Sequence, residues 1–221
     1  MAAKKKSFIY ENSLSIAFLV LFVVSITGQA ITGWHEYLDE LKDHGQPGVS
    51  IGRYLLSGHF VQSTFENWES EFFQMGLFVW FTVFLRQKGS SESKKLEGEE
   101  EVDREPTPHP DAPWPVRKGG IYVKLYKHSL TLSLFLLFIV TFCLHWYGSR
   151  KDFNELQLLE GKPTETMGQY LGNSRLWFES FQNWQSEFLS IFAIIFLSIY
   201  LREIGSPQSK PVDAPNSETE E

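Results

Sequence analysis

Two stretches of this chain are nearly the same: Phe65–Phe72 reads FENWESEF and Phe181–Phe188 reads FQNWQSEF. They stand 116 positions apart (181 − 65), and that offset, extended both ways without a gap, pairs Ser13 with Ser129, Gly45 with Gly161, Pro47 with Pro163, Tyr54 with Tyr170 and Arg86 with Arg202. Residues 13–94 set against 129–210 give 22 identities in 82 pairs, with many of the mismatches swapping like for like. Ungapped agreement over such a length marks a tandem duplication, so the chain is one unit used twice.

The apolar residues gather in four blocks rather than spreading as a soluble core requires. Leu14–Thr32 and Leu130–Tyr147 are rich in Leu, Val, Ile and Phe. At about 1.5 Å per residue, roughly 20 such residues cross a hydrocarbon layer of about 30 Å, so both are expected membrane spans. Phe72–Leu85 and Phe188–Leu201 are shorter, each bounded by a Glu and an Arg. Alone they would also suit buried helices of a soluble protein, but each follows a long block at the same distance. Lysines in the first six residues, an apolar run and Gly28-Gln29-Ala30 imitate a secretory signal. The repeat partner of that run lies mid-chain and cannot be a signal, which makes the first run a retained helix. The single cysteine, Cys143, excludes an intramolecular disulfide and belongs to packing.

Basic residues crowd beside particular span ends. Lys4, Lys5 and Lys6 precede the first span, Arg86, Lys88, Lys94 and Lys95 follow the second, Arg117, Lys118, Lys124 and Lys127 precede the third, and Arg202 and Lys210 follow the fourth. The loops 33–68 and 149–184 carry fewer, so both termini and the connecting segment are expected in the cytoplasm. Each repeat is then an out-and-back hairpin, and two hairpins in one orientation form parallel repeats. The net charge of −7 comes mostly from the Glu- and Pro-rich linker and from the tail, segments whose composition predicts solvated disorder. The expected organisation is a cytoplasmic N-terminus 1–12, a first repeat 13–94 with spans near 13–32 and 65–86, and a linker 95–120. A second repeat, 121–210, has spans near 129–148 and 181–202 and is followed by an acidic tail 211–221.

The outer loops are patterned as well. Trp34, Tyr37, Leu38 and Leu41 recur at helical spacing, which extends the first span to His44, before Gly45 and Pro47. The second repeat does likewise up to Gly161 and Pro163. Ser50 and Thr166 suit the N-cap of a short helix holding Tyr54 or Tyr170.

From Glu71 to Arg86 the second span is too short for a bilayer. Either the bilayer thins around it, or the helix begins near Phe65 and carries Glu71 about 9 Å below the outer boundary; the second solution is favoured. Phe65, Trp68 and Phe72 then share one side, and Asn67, Ser70, Glu71 and Gln74 the other. Asn183, Ser186, Glu187 and Ser190 repeat that polar stripe. On the long spans Gln29 and His145 fall at about the same depth. An ionisable group there is costly unless paired, and marks a functional site. The candidate proton or cation site is therefore Glu71, Glu187, His145, Gln29, Asn67 and Asn183. A plainer reading makes Trp68 and Trp184 interface anchors, with the acidic residues decorating a first helical turn. Arg86 and Arg202 are expected as cytoplasmic anchors.

None of the six histidines is paired with another by the duplication: His145 meets Gln29, His128 meets Asn12 and His59 meets Arg175. A bis-histidine haem is not expected, and no cofactor or metal motif appears. HExxH, CxxC, GxGxxG, phosphate-loop and nucleophile-elbow patterns are absent from the sequence, so no enzyme is expected. Basic residues sit at membrane edges rather than in an aromatic-lined groove, which argues against nucleic acid.

The FxNWxSEF motif, the EVDREP…PWPV linker and the closing LREIGSPQSKPV…SETE segment resemble an uncharacterised family of bacterial integral membrane proteins, a domain of unknown function. The resemblance covers nearly the whole chain. It implies four spans and a bacterial inner-membrane location, and it carries no activity or catalytic residue. The expected fold class is an all-α integral membrane protein of four transmembrane helices, two tandem hairpins with short extracytoplasmic helices. Its partners are the lipid bilayer and either a second copy of the chain or an envelope protein. The expected function is binding or relaying a proton or small cation, the alternative a non-catalytic interaction module of the envelope.

Overall fold

In a computed structural model, residues 7–219 are described; among them every regular element is helical and none is a strand. Lys4, Lys5 and Lys6, which entered the charge argument, and Glu220 and Glu221 of the tail lie outside the described residues. The elements are α1 (Phe8–Glu11), α2 (Ser13–Asp43), α3 (Ile51–Tyr54), α4 (Gly58–Phe81), α5 (Trp114–Lys118), α6 (Gly120–Tyr126), α7 (Ser129–Leu159), α8 (Met167–Tyr170) and α9 (Ser174–Tyr200).

The bounds of α2 and α7 differ by the repeat offset at both ends (13 + 116 = 129, 43 + 116 = 159), as do those of α3 and α8 (51 + 116 = 167, 54 + 116 = 170). The stops are alike too. Gly45 takes φ +67° and Gly161 φ +70°, conformations that suit glycine. Gly45 N donates to Lys42 O and Gln46 N to Leu41 O, while Gly161 N donates to Leu158 O and Lys162 N to Gln157 O. This paired 5→2 and 6→1 pattern closes the last carbonyls of a helix that would otherwise run on.

Helices α4 and α9 begin earlier than the spans expected at 65 and 181. The reason is capping: Ser57 Oγ accepts from Phe60 N at 3.2 Å, and Asn173 Oδ1 from Arg175 N at 2.9 Å. Their far ends are closed by arginine. Arg86 Nη1 donates to the carbonyls of Thr82, Val83 and Leu85, and Arg202 Nη1 to those of Ser198, Ile199 and Leu201, the same three positions in each copy. The Arg202 contacts fall at the last carbonyls of α9, where a cation satisfies orphan acceptors and complements the helix dipole, and those of Arg86 fall on the turn that follows α4. In the linker, Glu101–Asp103 forms a 3₁₀ turn and Lys94 pairs with Asp103, whose carboxyl is held below its ordinary value by that lysine.

The chain divides into two compact units, the first running to Ser63 and including Tyr147–Tyr170, the second comprising Thr64–Trp146 and Leu171 onward. In the first, Tyr54 is fully buried against the rings of Tyr37, His59 and Phe60. Tyr170, its counterpart in the repeat, bonds Ser149 through its hydroxyl at 2.7 Å. Backbones approach closely here: a Cβ on Gly148 would lie 2.6 Å from Gln62 N and 2.9 Å from Val61 C. In the second, Phe73 stacks on Phe138 at 4.7 Å and meets Trp184 at 4.8 Å.

Among the described residues, two helices, α2 and α7, are both long and apolar enough to cross a membrane. Along α2, Phe18, Leu19, Val20, Leu21, Val23 and Val24 are all exposed, an unbroken apolar surface that water would penalise.

Candidate functional site

The second unit contains a buried polar cluster in the layer beside the Phe73–Phe138–Trp184 aromatics. Three helices supply it. Helix α4 brings Glu66 and Glu69, three residues apart and therefore on one face; α9 brings Arg175 and Glu179, four apart and likewise on one face; α7 brings His145. Glu69 and His145 have no exposed surface at all.

The geometry is a chain of contacts. Trp184 Nε1 donates to Glu69 Oε1 at 3.1 Å, and the other oxygen, Oε2, accepts from His145 Nδ1 at 2.6 Å. The opposite ring nitrogen, Nε2, lies 3.0 Å from Glu179 Oε2. Arg175 Nε donates to the remaining oxygen of that carboxylate, Oε1, at 2.8 Å and offsets its charge. Glu66, His145 and Glu179 each offer one ligand atom, all within 4.8 Å of one another. A carboxylate on the far nitrogen of a histidine fixes the ring tautomer and aims the near nitrogen, the arrangement that supports a histidine as a cation ligand. Burial in an apolar layer strengthens each of these interactions, because there is little water to screen them.

Of the residues singled out from the sequence, His145 lies at the centre of this cluster. Glu71 and Glu187 stand beside each other and not in the contact chain of the ring; Glu71 is exposed and Glu187 half-buried. Asn183 Nδ2 turns back to the Glu179 carbonyl of its own helix at 3.0 Å, and Asn67 is exposed, its carbonyl accepting from Ser70 Oγ at 2.8 Å. Gln29 belongs to the first unit, where its Nε2 donates to Ser63 Oγ at 3.3 Å. Trp184, expected at the interface, is the donor to Glu69, whereas Trp68 is half-buried with its ring edge-on to Phe65.

Glu66, Glu69, Arg175 and Glu179 were missed. The signal for them was present where the two copies disagree. Under the offset Glu66 stands against Gln182, Glu69 against Gln185, Glu179 against Ser63, Arg175 against His59 and His145 against Gln29. The interhelical bond itself is kept: Gln29 reaches Ser63 in one copy where His145 reaches Glu179 in the other (29 + 116 = 145, 63 + 116 = 179). One pair is neutral and the other ionisable.

Comparison with known proteins agrees with the sequence resemblance: the family model of a domain of unknown function, DUF6766, matches residues 5–221, and the chain belongs to that family. Neither a curated protein nor a solved structure matches it.

Proposed function

We propose that this member of the family is a four-span protein of the bacterial inner membrane, with both termini in the cytoplasm, that binds a small cation at the Glu66–His145–Glu179 cluster and catalyses no reaction. The observation that carries the reading is the cluster itself: three ligand-bearing side chains from the three helices α4, α7 and α9 converge with ligand atoms within 4.8 Å. Support for the two extra crossings comes from α4 and α9. They run for 24 and 27 residues, enough for a bilayer at about 1.5 Å per residue, and beyond the cluster they expose Met75, Trp80, Phe192, Ile194 and Phe196. An ionisable cluster inside such a bundle is expensive to keep and is kept for a function.

Two measurements test the reading. In a Cys143→Ala background, single cysteines at Gln46 and at Glu97 should be labelled from opposite sides of the inner membrane; labelling from one side refutes the topology. Full-length protein in detergent should be melted with Na⁺, K⁺, Mg²⁺, Ca²⁺, Mn²⁺ or Zn²⁺ present. A ligand at about 100 times its Kd stabilises by roughly 2.7 kcal/mol, so at least one cation should raise the melting temperature, and His145→Asn should abolish the rise. If no cation does so, the reading falls.

A further inference from the structure

Resting on that reading, we infer that the cation is a divalent first-row transition metal, bound by Glu66, His145 Nε2 and Glu179 Oε2 with Glu69 as the residue that positions the histidine. Four features of the cluster point the same way.

The donor set includes an imidazole nitrogen. Na⁺, Mg²⁺ and Ca²⁺ take oxygen ligands, whereas imidazole suits zinc, iron, nickel and copper, and mixed nitrogen and carboxylate sets occur in zinc and iron sites. The spacing agrees: His145 Nε2 and Glu179 Oε2 stand 3.0 Å apart. Two neighbouring ligands at right angles around an ion with bonds of about 2.1 Å are also about 3.0 Å apart, so this edge of the site is already formed. Glu66 closes the third position by a movement of its own flexible side chain.

The ring is set for a metal on its Nε2 side. In the metal-free chain both ring nitrogens donate, Nδ1 to Glu69 at 2.6 Å and Nε2 to Glu179 at 3.0 Å; a metal would displace the Nε2 proton, while Glu69, itself held by Trp184 at 3.1 Å, keeps the proton on Nδ1 and the ring in place. The charge also balances. Once a metal has displaced the Nε2 proton the ring is neutral, and ionised Glu66, Glu69 and Glu179 with Arg175 then leave −2 (−3 + 1 = −2), which a divalent ion cancels and a monovalent ion does not. Finally, Ser180 Oγ is fully buried and has no hydrogen-bond partner among the described residues. On α9 Ser180 falls on the arc between Glu179 and Trp184, both of which reach the cluster, so a metal-bound water would give its hydroxyl a partner.

Co²⁺ titrated into the detergent-purified full chain should give a visible d–d absorption band that saturates at one equivalent and is displaced by Zn²⁺. Glu66→Gln, a half-buried position whose change leaves the Trp184–Glu69–His145 chain in place, should weaken binding at least tenfold. Glu69→Gln should weaken it by roughly 10–100-fold while keeping the stoichiometry, as expected of a residue acting through another. His145→Asn should remove the band; the other five histidines remain in that variant, so a band that persists belongs to them and overturns the assignment. Equal Co²⁺ affinity of the native chain and Glu66→Gln also overturns it. If Na⁺, Mg²⁺ or Ca²⁺ stabilises the chain through His145 and neither Co²⁺ nor Zn²⁺ binds, cation binding stands and the transition-metal inference falls; if none of these ions binds, both fall.

Discussion

Glu69 is the residue whose replacement most sharply tests how the cluster is built. Its carboxylate has no exposed surface and takes two hydrogen bonds, from His145 at 2.6 Å and from Trp184 at 3.1 Å. Hydrogen bonds to a charged group contribute about 1.5–3 kcal/mol each, and a buried donor left unpaired costs about 1–3 kcal/mol. In Glu69→Gln the amide oxygen can accept from one of the two donors, while the amide NH₂ faces the other. The expected loss is therefore one charge-assisted bond plus part of one desolvated donor, about 2–4 kcal/mol. Glu69→Leu strands both donors and should cost about 3–5 kcal/mol, the range for breaking a buried pair. For a chain of this size each kcal/mol moves the melting temperature by about 2–4 °C, so Glu69→Gln should melt roughly 5–15 °C below the native protein. Thermal unfolding of the metal-free full chain in detergent, followed by circular dichroism, reads this directly. Glu71→Gln is the comparison, because Glu71 is exposed and stands beside Glu187; its change should stay within about 0.5 kcal/mol. If Glu69→Gln melts within about 2 °C of the native chain, or if Glu71→Gln costs more than Glu69→Gln, the central position given to Glu69 is wrong.

Two further outcomes concern the first unit. Gly148→Leu should destabilise by more than the roughly 1–3 kcal/mol typical of overpacking, since even a Cβ would fall 2.6 Å from Gln62 N; Gly52→Ala, where a Cβ meets open space, should be near neutral in the same melt. The Tyr54 phenol is pushed up to about 12, first by burial and then by Glu36 and Asp152. Its folded value lies above its unfolded one, so its share of stability is whole below about pH 10 and is lost as pH rises through about 12. Melts across that window should show an alkaline decline that is shallower in Tyr54→Phe, and an equally steep decline in the variant would contradict the assignment.

The parts of the fold that recur were legible because they rest on local rules. A glycine two positions before a proline, seen twice, stops α2 and α7, and an arginine directly after the last leucine of each short apolar block bonds the carbonyls at or just past the helix end. The starts of α4 and α9 were misplaced by seven residues (65 − 58, 181 − 174) because the apolar pattern that marks a span begins later than the cap that starts the helix. Ser57 and Asn173 stand seven or more residues before the aromatic motif at which the spans were placed to begin.

The site was partly hidden for a different reason. Identity between the two stretches picks out what both need, packing, turns and helix ends; Glu71 and Glu187 are shared and stand beside each other. A site that exists once has to be written in the differences. His145 replaces Gln29, Glu179 replaces Ser63 and Glu69 replaces Gln185, so a single interhelical contact, neutral in one copy, carries ionisable groups in the other. The Gln29–Ser63 contact brings α2 and α4 within hydrogen-bond reach without any charge, at the positions that the offset sets against His145 and Glu179. It follows that Gln29→His together with Ser63→Glu should be accommodated in the first unit with its helices unbroken, but without a counterpart to Glu69 to fix the ring, since Gln185 is exposed. Such a chain should retain its native circular dichroism and still bind Co²⁺ at one equivalent; a second equivalent of matching affinity would show that the Glu69 contact is not needed to make the site.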